Sequence, residues 1–320
     1  NLTLDNAPHP TQPDQRVLTI HYRLTSNETS ALWTPTFIPP EAIDMPGYEL
    51  LASPTLYPGQ TVRADLLSNS ANLTPIKVGL VIQSYGEADQ LITTYGPVTI
   101  LHPGKSSQLT WQMPDLDGAP IVHVGISISS DEPTAGAVHL DSLTWDGSPN
   151  VTFHRPVALG TMWQRQWVNA ADYFTDEFGE AFRVIQNRGR GLVITGTREW
   201  TDYSVQAEIT PHLVKTFGLA ARVQGQERYY ALLLTEQKKV KLVKRLDGEI
   251  VLAEKEFDWQ LGDAYTIRLD VQANLIVAYI NDELLFKVED MNHLLSSGGI
   301  ALVCEEGRIG TDAVSVTPIA

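Results

Sequence analysis

The feature that most constrains this chain is an alternation of apolar and polar residues with a period of two. It recurs in short runs bounded by Gly, Pro, Asn and Asp, about every ten positions. At positions 121–129, Val122, Val124, Ile126 and Ile128 alternate with His123, Gly125, Ser127 and Ser129. This period places successive side chains on opposite faces of a strand. Because helical periodicity is scarce, the pattern predicts an all-β protein.

The length of the chain and the distribution of these runs predict two β-sandwich (jelly-roll) domains in tandem. A chain of 320 residues is long enough for two separate cores. The stretch from Asp146 to Pro156 is rich in turn residues, and we interpret it as a linker. The predicted domains are therefore residues 1–156, with an N-terminal extension, and residues 157–320. After the linker, Trp163 and Trp167 are expected to pack at an interface, on a short helix or a strap.

The charge and the cysteine content exclude several classes of partner. The net charge is -15 and the isoelectric point is about 4.9. Binding to nucleic acid or to anionic lipid needs clustered Lys and Arg, so neither a nucleic acid nor a membrane is an expected partner. The single cysteine, Cys304, reads as a core residue and excludes an internal disulfide. The compartment in which the protein works does not follow from the sequence.

Six segments of the second half occur in an order typical of one superfamily. They are Trp200–Ile209, Gly218–Val223, Arg228–Ala231, Trp259–Leu269, Val277–Asp282 and Gly298–Leu302. Together they resemble the concanavalin A-like, laminin-G-like superfamily, including the module of 3-keto-disaccharide hydrolase-like proteins. The resemblance implies a concave sheet with an Arg-bearing strand, followed by an aromatic strand.

Candidate ligand-binding residues lie in this second half. Sugar binding needs aromatic rings against the C–H face of the sugar and planar hydrogen-bonding groups at its edge. Arg222, Tyr229 and Tyr230 could supply these groups, with Glu208 as a fourth residue, because Arg222 is polar within an otherwise apolar strand. The alternative is an Arg222–Glu208 pair across the sheet with both tyrosines in the core, and it stays open. In the first half, candidates by residue type alone are Tyr85, Tyr95 and Trp111.

Three segments of the first half, at positions 48–51, 57–62 and 138–145, resemble a jelly-roll carbohydrate-binding module. That resemblance implies a structural calcium ion bound in part by Asp141. One carboxylate does not make a calcium site, and its other ligands are not identified. The alternative is that Asp141 caps or ends a strand.

Three further segments, at positions 160–163, 183–200 and 303–307, have a wider resemblance when taken together with both modules. They are similar to the C-terminal accessory region of bacterial ADP-ribosylglycohydrolase-family proteins. The resemblance implies a carbohydrate or ADP-ribose-like ligand and an N-terminal catalytic domain in the same polypeptide.

No catalytic residues are predicted in this chain. A glycosidase needs two carboxylates on either side of one bond. The adjacent pair Glu305 and Glu306 would point to opposite faces of a strand, and no nucleophile elbow, zinc helix or phosphate loop occurs. The sequence therefore favours a non-catalytic ligand-binding accessory region. A glycoside hydrolase acting through the second domain and a structural or protein-interaction module remain the alternatives.

Overall fold

The computed structural model describes residues 1–12, 14–38, 52–157, 160–176 and 179–319. Residues 48–51, which carried part of the first-half resemblance, lie outside these ranges. In the part described, no helix is long and apolar enough to cross a membrane. All the strand pairings are antiparallel, and the all-β prediction is confirmed.

The first half contains nine strands within the described ranges. They are β1 Leu2–Pro8, β2 Arg16–Leu24, β3 Thr29–Pro35, β4 Thr61–Ser68, β5 Ile76–Tyr85, β6 Leu91–Leu101, β7 Ser106–Gln112, β8 Ile121–Ser129 and β9 Thr134–Asp146. They form a five-stranded sheet A, in the order β1-β2-β9-β4-β7, and a four-stranded sheet B, in the order β3-β8-β5-β6.

The core of the first half lies between sheets A and B. Alternate residues of each strand point into it, among them Ile20 and Val62 from sheet A and Ile82 and Val124 from sheet B, all fully buried. Burial of each such side chain contributes about 1.5–3 kcal/mol. The period of two therefore leaves the other residues of sheet B on its outer face.

The second half contains thirteen strands and one short helix within the described ranges. They are β10 Val151–His154, α1 Met162–Arg165, β11 Val168–Ala170, β12 Tyr173–Thr175, β13 Phe182–Thr195, β14 Tyr203–Gly225, β15 Arg228–Thr235, β16 Lys239–Leu246, β17 Glu249–Glu256, β18 Tyr265–Gln272, β19 Leu275–Ile280, β20 Glu283–Glu289, β21 Gly299–Thr311 and β22 Ala313–Pro318.

These strands form two layers that share the long strand β14. Sheet C has the order β10-β22-β14-β18-β19-β20, and sheet D has the order β13-β21-β14-β15-β16-β17, with β11 and β12 both pairing with β13. The core between them includes Cys304, which is fully buried. Burial raises the pKa of the Cys304 thiol to about 12, so the thiol stays protonated and unreactive at neutral pH. The interpretation of Cys304 as a core residue is confirmed.

The predicted linker contains a strand instead of an irregular segment. Val151 to His154 form β10, which pairs with β22 near the end of the chain. Phe153 and Val151 are buried in the core of the second half. The run Val-Thr-Phe-His alternates apolar and polar residues, but it is short and lies between the turn residues that suggested a linker. By strand pairing, β10 belongs with the strands of the second sandwich, and the domain boundary at residue 156 stays a prediction.

The two halves are joined by buried aromatic residues. The ring of Tyr57, which precedes β4, packs edge-on against Trp200 with 4.7 Å between ring centroids and also contacts Phe153. The Tyr57 hydroxyl accepts a hydrogen bond of 3.1 Å from the backbone N–H of Gly196. Trp163 and Trp167 are both buried in the same cluster, as interface packing predicts.

The hairpin between β5 and β6 also reaches the second half. The carboxylate of Asp89 accepts hydrogen bonds from the backbone N–H groups of Thr161, at 2.8 Å, and of Met162, at 3.1 Å. These are donors at the start of α1 that have no partner within the helix. Asp89 therefore fixes α1, and with it Trp163, against the end of the first sandwich.

Candidate carbohydrate-binding face

Arg222 is placed in the interior of the second half and not on a ligand-binding surface. Its side chain is fully buried. The guanidinium donates hydrogen bonds to the carbonyl oxygens of Ala273 (2.6 Å), Leu295 (2.9 Å) and Thr201 (3.1 Å). It also lies 3.3 Å from Asp202, whereas Glu208 is not among its partners. Arg222 therefore holds loop backbone in place, which neither of the sequence interpretations anticipated.

Tyr230 holds the same end of the sandwich. It is fully buried, and its hydroxyl donates a 2.5 Å hydrogen bond to Asp290. Lys244, also buried, lies 2.7 Å from the same carboxylate. Burial alone would raise the pKa of Asp290, but the hydrogen bonds from Lys244 and Tyr230 hold it below the usual range. The three side chains form a closed structural cluster, and Tyr230 offers no surface to a sugar.

Tyr229 is 1% exposed, and its hydroxyl lies 3.4 Å from Nη1 of Arg190. Glu208 is exposed on sheet C, at the opposite layer, where it lines a polar cleft of about 340 Å³ with Glu180 and Asp312. The four predicted ligand-binding residues are therefore not brought together on one accessible surface.

Asp141 lies on β9, half exposed, with its carboxylate 3.6 Å from Nε2 of His9. In the described ranges, no group of three or more His, Cys, Asp or Glu residues could hold a metal ion. Calcium takes six to eight oxygen ligands, of which Asp141 is the one identified here. Its role in calcium binding stays a prediction.

An aromatic row crosses the outer face of sheet B. The strand register aligns Trp33 with Gly125, Gly125 with Val81, and Val81 with Tyr95. Tyr95 is 53% exposed and Trp33 is half-buried. The two aromatic residues are three strands apart, roughly 14 Å between Cα atoms at the usual strand spacing. The outer face thus carries two aromatic side chains with small or short residues between them.

A polar row runs beside the aromatic row. Pro35 aligns with His123, His123 with Gln83, and Gln83 with Thr93. The side-chain amide of Gln83 donates to the Thr93 hydroxyl at 3.3 Å, and the His123 ring lies 6.3 Å from the Trp33 ring, centroid to centroid. Amide, imidazole and hydroxyl groups next to aromatic rings are the combination that recognises a sugar.

Gly125 leaves the middle of the aromatic row without a side chain. A Cβ atom at this position would lie 1.9 Å from the carbonyl oxygen of Leu32 and 3.2 Å from Cε3 of Trp33. The first distance is too short for any side chain to be accommodated without a shift of the backbone. The Trp33 ring therefore lies over Gly125. Val81, the next residue of the row, is fully buried.

His123 is kept uncharged by its surroundings. Its Nδ1 atom is buried and has no hydrogen-bond partner among the described residues, and burial lowers the pKa of the ring. A neutral imidazole carries one donor and one acceptor nitrogen, so it suits a hydroxyl group better than an anion.

We expect the stability of the first half to fall as the pH drops below about 6.5. Burial lowers the pKa of His123 and, with the charges of His9 and His21, that of His139. The unfolded chain therefore takes up protons first, and stability is complete above the unfolded pKa and lost below it. Urea unfolding between pH 8 and pH 5 measures the effect. H123Q and H139Q should each flatten the profile, and an unchanged profile in both variants would contradict this explanation.

A second polar surface lies on the face of sheet D that points away from the core. Arg190 Nη1 donates to Glu249 at 2.6 Å and Arg190 Nε donates to Glu305 at 2.9 Å, while Arg245 Nε donates to Glu227 at 2.6 Å. Small and aliphatic residues lie on the same face, all nearly or fully buried: Leu192, Ala220, Ala231, Leu233, Val243, Ala301 and Val303. Arg190 and Arg245 are both ion-paired, and the one aromatic ring in this cluster, Tyr229, is buried.

Glu249 and Glu305 lie on β17 and β21, far apart in the sequence, so residue spacing alone could not predict that the two carboxylates are close in space. They do not face each other across open space, because the guanidinium of Arg190 binds both. A glycosidase pair requires one protonated and one ionised carboxyl. The guanidinium of Arg190 occupies the space between the two carboxylates, where a glycosidic bond would have to lie, so the arrangement does not favour catalysis.

No protein-family model and no curated protein matches the chain. Among solved structures, the carbohydrate-binding module CBM66 from Bacillus subtilis is 16% identical with a TM-score of 0.43, over 47% of this chain and 94% of that one. A protein of unknown function with a galectin-like fold from Bacillus subtilis is 12% identical with a TM-score of 0.42, over 54% and 97%. The metal-free carbohydrate recognition domain of Emp46p is 12% identical with a TM-score of 0.39, over 50% and 92%. At these identities and scores, no conclusion about a ligand of this chain follows.

Proposed function

We propose that the chain binds a carbohydrate on the outer face of sheet B in its first half. The observation that carries the proposal is the row from Trp33 to Tyr95, which flanks Gly125 and Val81 with two aromatic side chains beside the polar row of His123 and Gln83. Aromatic rings stack on the C–H faces of sugar rings, and the neighbouring polar groups orient the hydroxyls.

The charge of this face favours a neutral sugar over an ADP-ribose-like ligand. Lys77, on β5 of the same sheet and outside the two rows, lies 2.6 Å from Asp131 in an ion pair. A diphosphate is normally recognised by Arg, Lys or backbone N–H groups at a helix N-terminus. His123 does not replace them, because burial keeps it neutral.

The wider role remains the one that the sequence resemblance implies, a non-catalytic accessory region of a larger hydrolase. One observation supports the non-catalytic part of this role: Glu249 and Glu305 are both bound by Arg190 and are not arranged as a glycosidase pair. An N-terminal catalytic domain, and an ADP-ribosyl linkage as its substrate, stay proposals.

The test is the affinity of W33A and Y95A for neutral oligosaccharides, after a panel of glycans has identified a ligand. Each variant should bind about ten-fold more weakly, because each removes one stacking surface. Y173A is the matched control, since Tyr173 is a 61% exposed tyrosine in the second half. Isothermal titration calorimetry measures the affinity, and circular dichroism confirms the fold. Unchanged binding in both W33A and Y95A would contradict the proposal.

The surface around Arg190 is the competing location. If R190A lost binding while W33A and Y95A retained it, the ligand would belong to sheet D. Product formation by the parent chain, abolished by E249Q or E305Q, would instead support the glycoside hydrolase alternative.

A further inference from the structure

An apolar cleft of about 440 Å³ opens between the two sheets of the first half, on the side where β1 and β3 are the edge strands. Leu18, Leu140 and Leu143 line it from sheet A, and Leu32 and Ile126 line it from sheet B. None of its lining residues is ionisable. This volume is in the range of small-molecule sites.

The cleft is a part of the inner face that the side chains of the described residues do not fill. Deeper residues of the same strands, Ile20 and Val138, are fully buried. Toward the opening, Leu140 and Leu143 are only half-buried, and Leu4 is 50% exposed. Inner faces of a sandwich normally interdigitate at close-packed density. Apolar surface has therefore been left accessible where packing would ordinarily remove it.

The width of the gap limits what can enter. Facing sheets of a sandwich lie about 10 Å apart, and an α-helix with its side chains is about 10–12 Å across. Neither a helix of a partner nor a sheet of a second copy fits between the sheets, whereas one hydrocarbon chain does. Because none of the lining side chains is charged, the enclosed part of the occupant must be uncharged.

The cleft has a polar neighbour at one end. A smaller depression lined by Thr55, Thr144 and Glu199 shares Leu143 and Trp145 with it. Hydroxyl groups there suit a polar head group, and the carboxylate of Glu199 disfavours an anionic one. We propose that the cleft binds the alkyl chain of an uncharged amphiphile, with its polar end toward Thr144 and Glu199. Trp33 and Gly125 line the cleft as well as the proposed carbohydrate face, so the two sites adjoin, whereas Tyr95 lies outside the cleft. The proposal does not depend on carbohydrate binding.

A series of n-alkanols from hexanol to nonanol tests the proposal on the full chain by isothermal titration calorimetry. Affinity should rise about four-fold per added methylene until the cleft is full, with a negative heat-capacity change. Octanoate should bind roughly five-fold more weakly than octanol, and E199Q should reduce that difference. Affinity that does not depend on chain length, or no binding of any alkanol, would overturn the proposal.

Variants in which a larger side chain fills the cleft provide a second test of the proposal. L143W should abolish octanol binding, and if it does not fold, L4W at the opening serves the same purpose with less disturbance of the core. L73W is the matched control, because Leu73 is 91% exposed in the same half. Y95A should keep full octanol affinity, which separates this site from the proposed carbohydrate face. Octanol binding that survives L143W or L4W in a folded protein would also overturn the proposal.

Discussion

Replacement of Arg222 by alanine is expected to lower the free energy of unfolding by about 3–5 kcal/mol, the usual effect of breaking a buried charged network. The substitution leaves the carbonyl groups of Thr201, Ala273 and Leu295 without this donor, and Asp202 keeps only the backbone N–H of Ala273 as a donor to its Oδ1 atom. Each unsatisfied buried group destabilises the fold, and the guanidinium is completely enclosed. Urea unfolding followed by circular dichroism measures the difference.

R228A is the matched control for R222A. Arg228 is also an arginine of the second half, but its side chain is 52% exposed and lies 3.4 Å from Asp247. Its removal should change stability by no more than about 0.5 kcal/mol. R222K should lie between the two, because an ammonium group cannot reproduce the fork of hydrogen bonds. An R222A protein as stable as the parent but unable to bind sugar would restore the ligand-binding role predicted from the sequence.

Replacement of Tyr57 by alanine is expected to separate the unfolding of the two halves. The parent chain should unfold in one calorimetric transition, because the Tyr57 ring is buried among Trp200 and Phe153 of the second half. Loss of this ring should destabilise the protein by about 3–5 kcal/mol, as for other buried aromatic residues. We therefore expect two resolved transitions for Y57A in differential scanning calorimetry.

Y57F distinguishes the ring from the hydroxyl. It keeps the aromatic packing and removes the acceptor for the N–H of Gly196, a loss of about 1–3 kcal/mol. Its unfolding should remain a single transition at a lower temperature. Y95A, at an exposed tyrosine of the first half, should change neither the number of transitions nor their midpoints appreciably. A single unshifted transition in Y57A would show that the halves are coupled elsewhere.

The alternation of residues was sufficient to predict the all-β class, because strand faces depend only on local sequence. It also separated His123, Gly125 and Ser127 from the apolar face of β8, and these residues do lie on the outer face of sheet B. Trp33 and Gln83 were not proposed as ligand contacts. Their proximity arises from pairing between β3, β8 and β5, strands that lie far apart in the sequence. A Trp at an outward position of a short strand was the signal available in the sequence.

Arg222 shows why sequence alone could not place the candidate residues of the second half. Its position was correctly identified as unusual, since it is a charged residue in an apolar strand. The register of β14 shifts between Ala221 and Val223, and Arg222 has a φ of 50°. This bulge removes the residue from the alternation and directs it toward loop carbonyls. Local sequence does not reveal such a bulge, because it depends on the neighbouring strands.

The pairing of β10 with β22 also has a consequence for biosynthesis. β22 lies between β10 and β14, so sheet C lacks an interior strand until residues 313–318 have left the ribosome. At about 5–20 residues per second, β10 waits roughly ten to thirty seconds for its partner. The nascent first sandwich has all of its strands during that interval. The apolar side of β10, with Val151 and Phe153, is therefore without its partner strand until β22 has emerged.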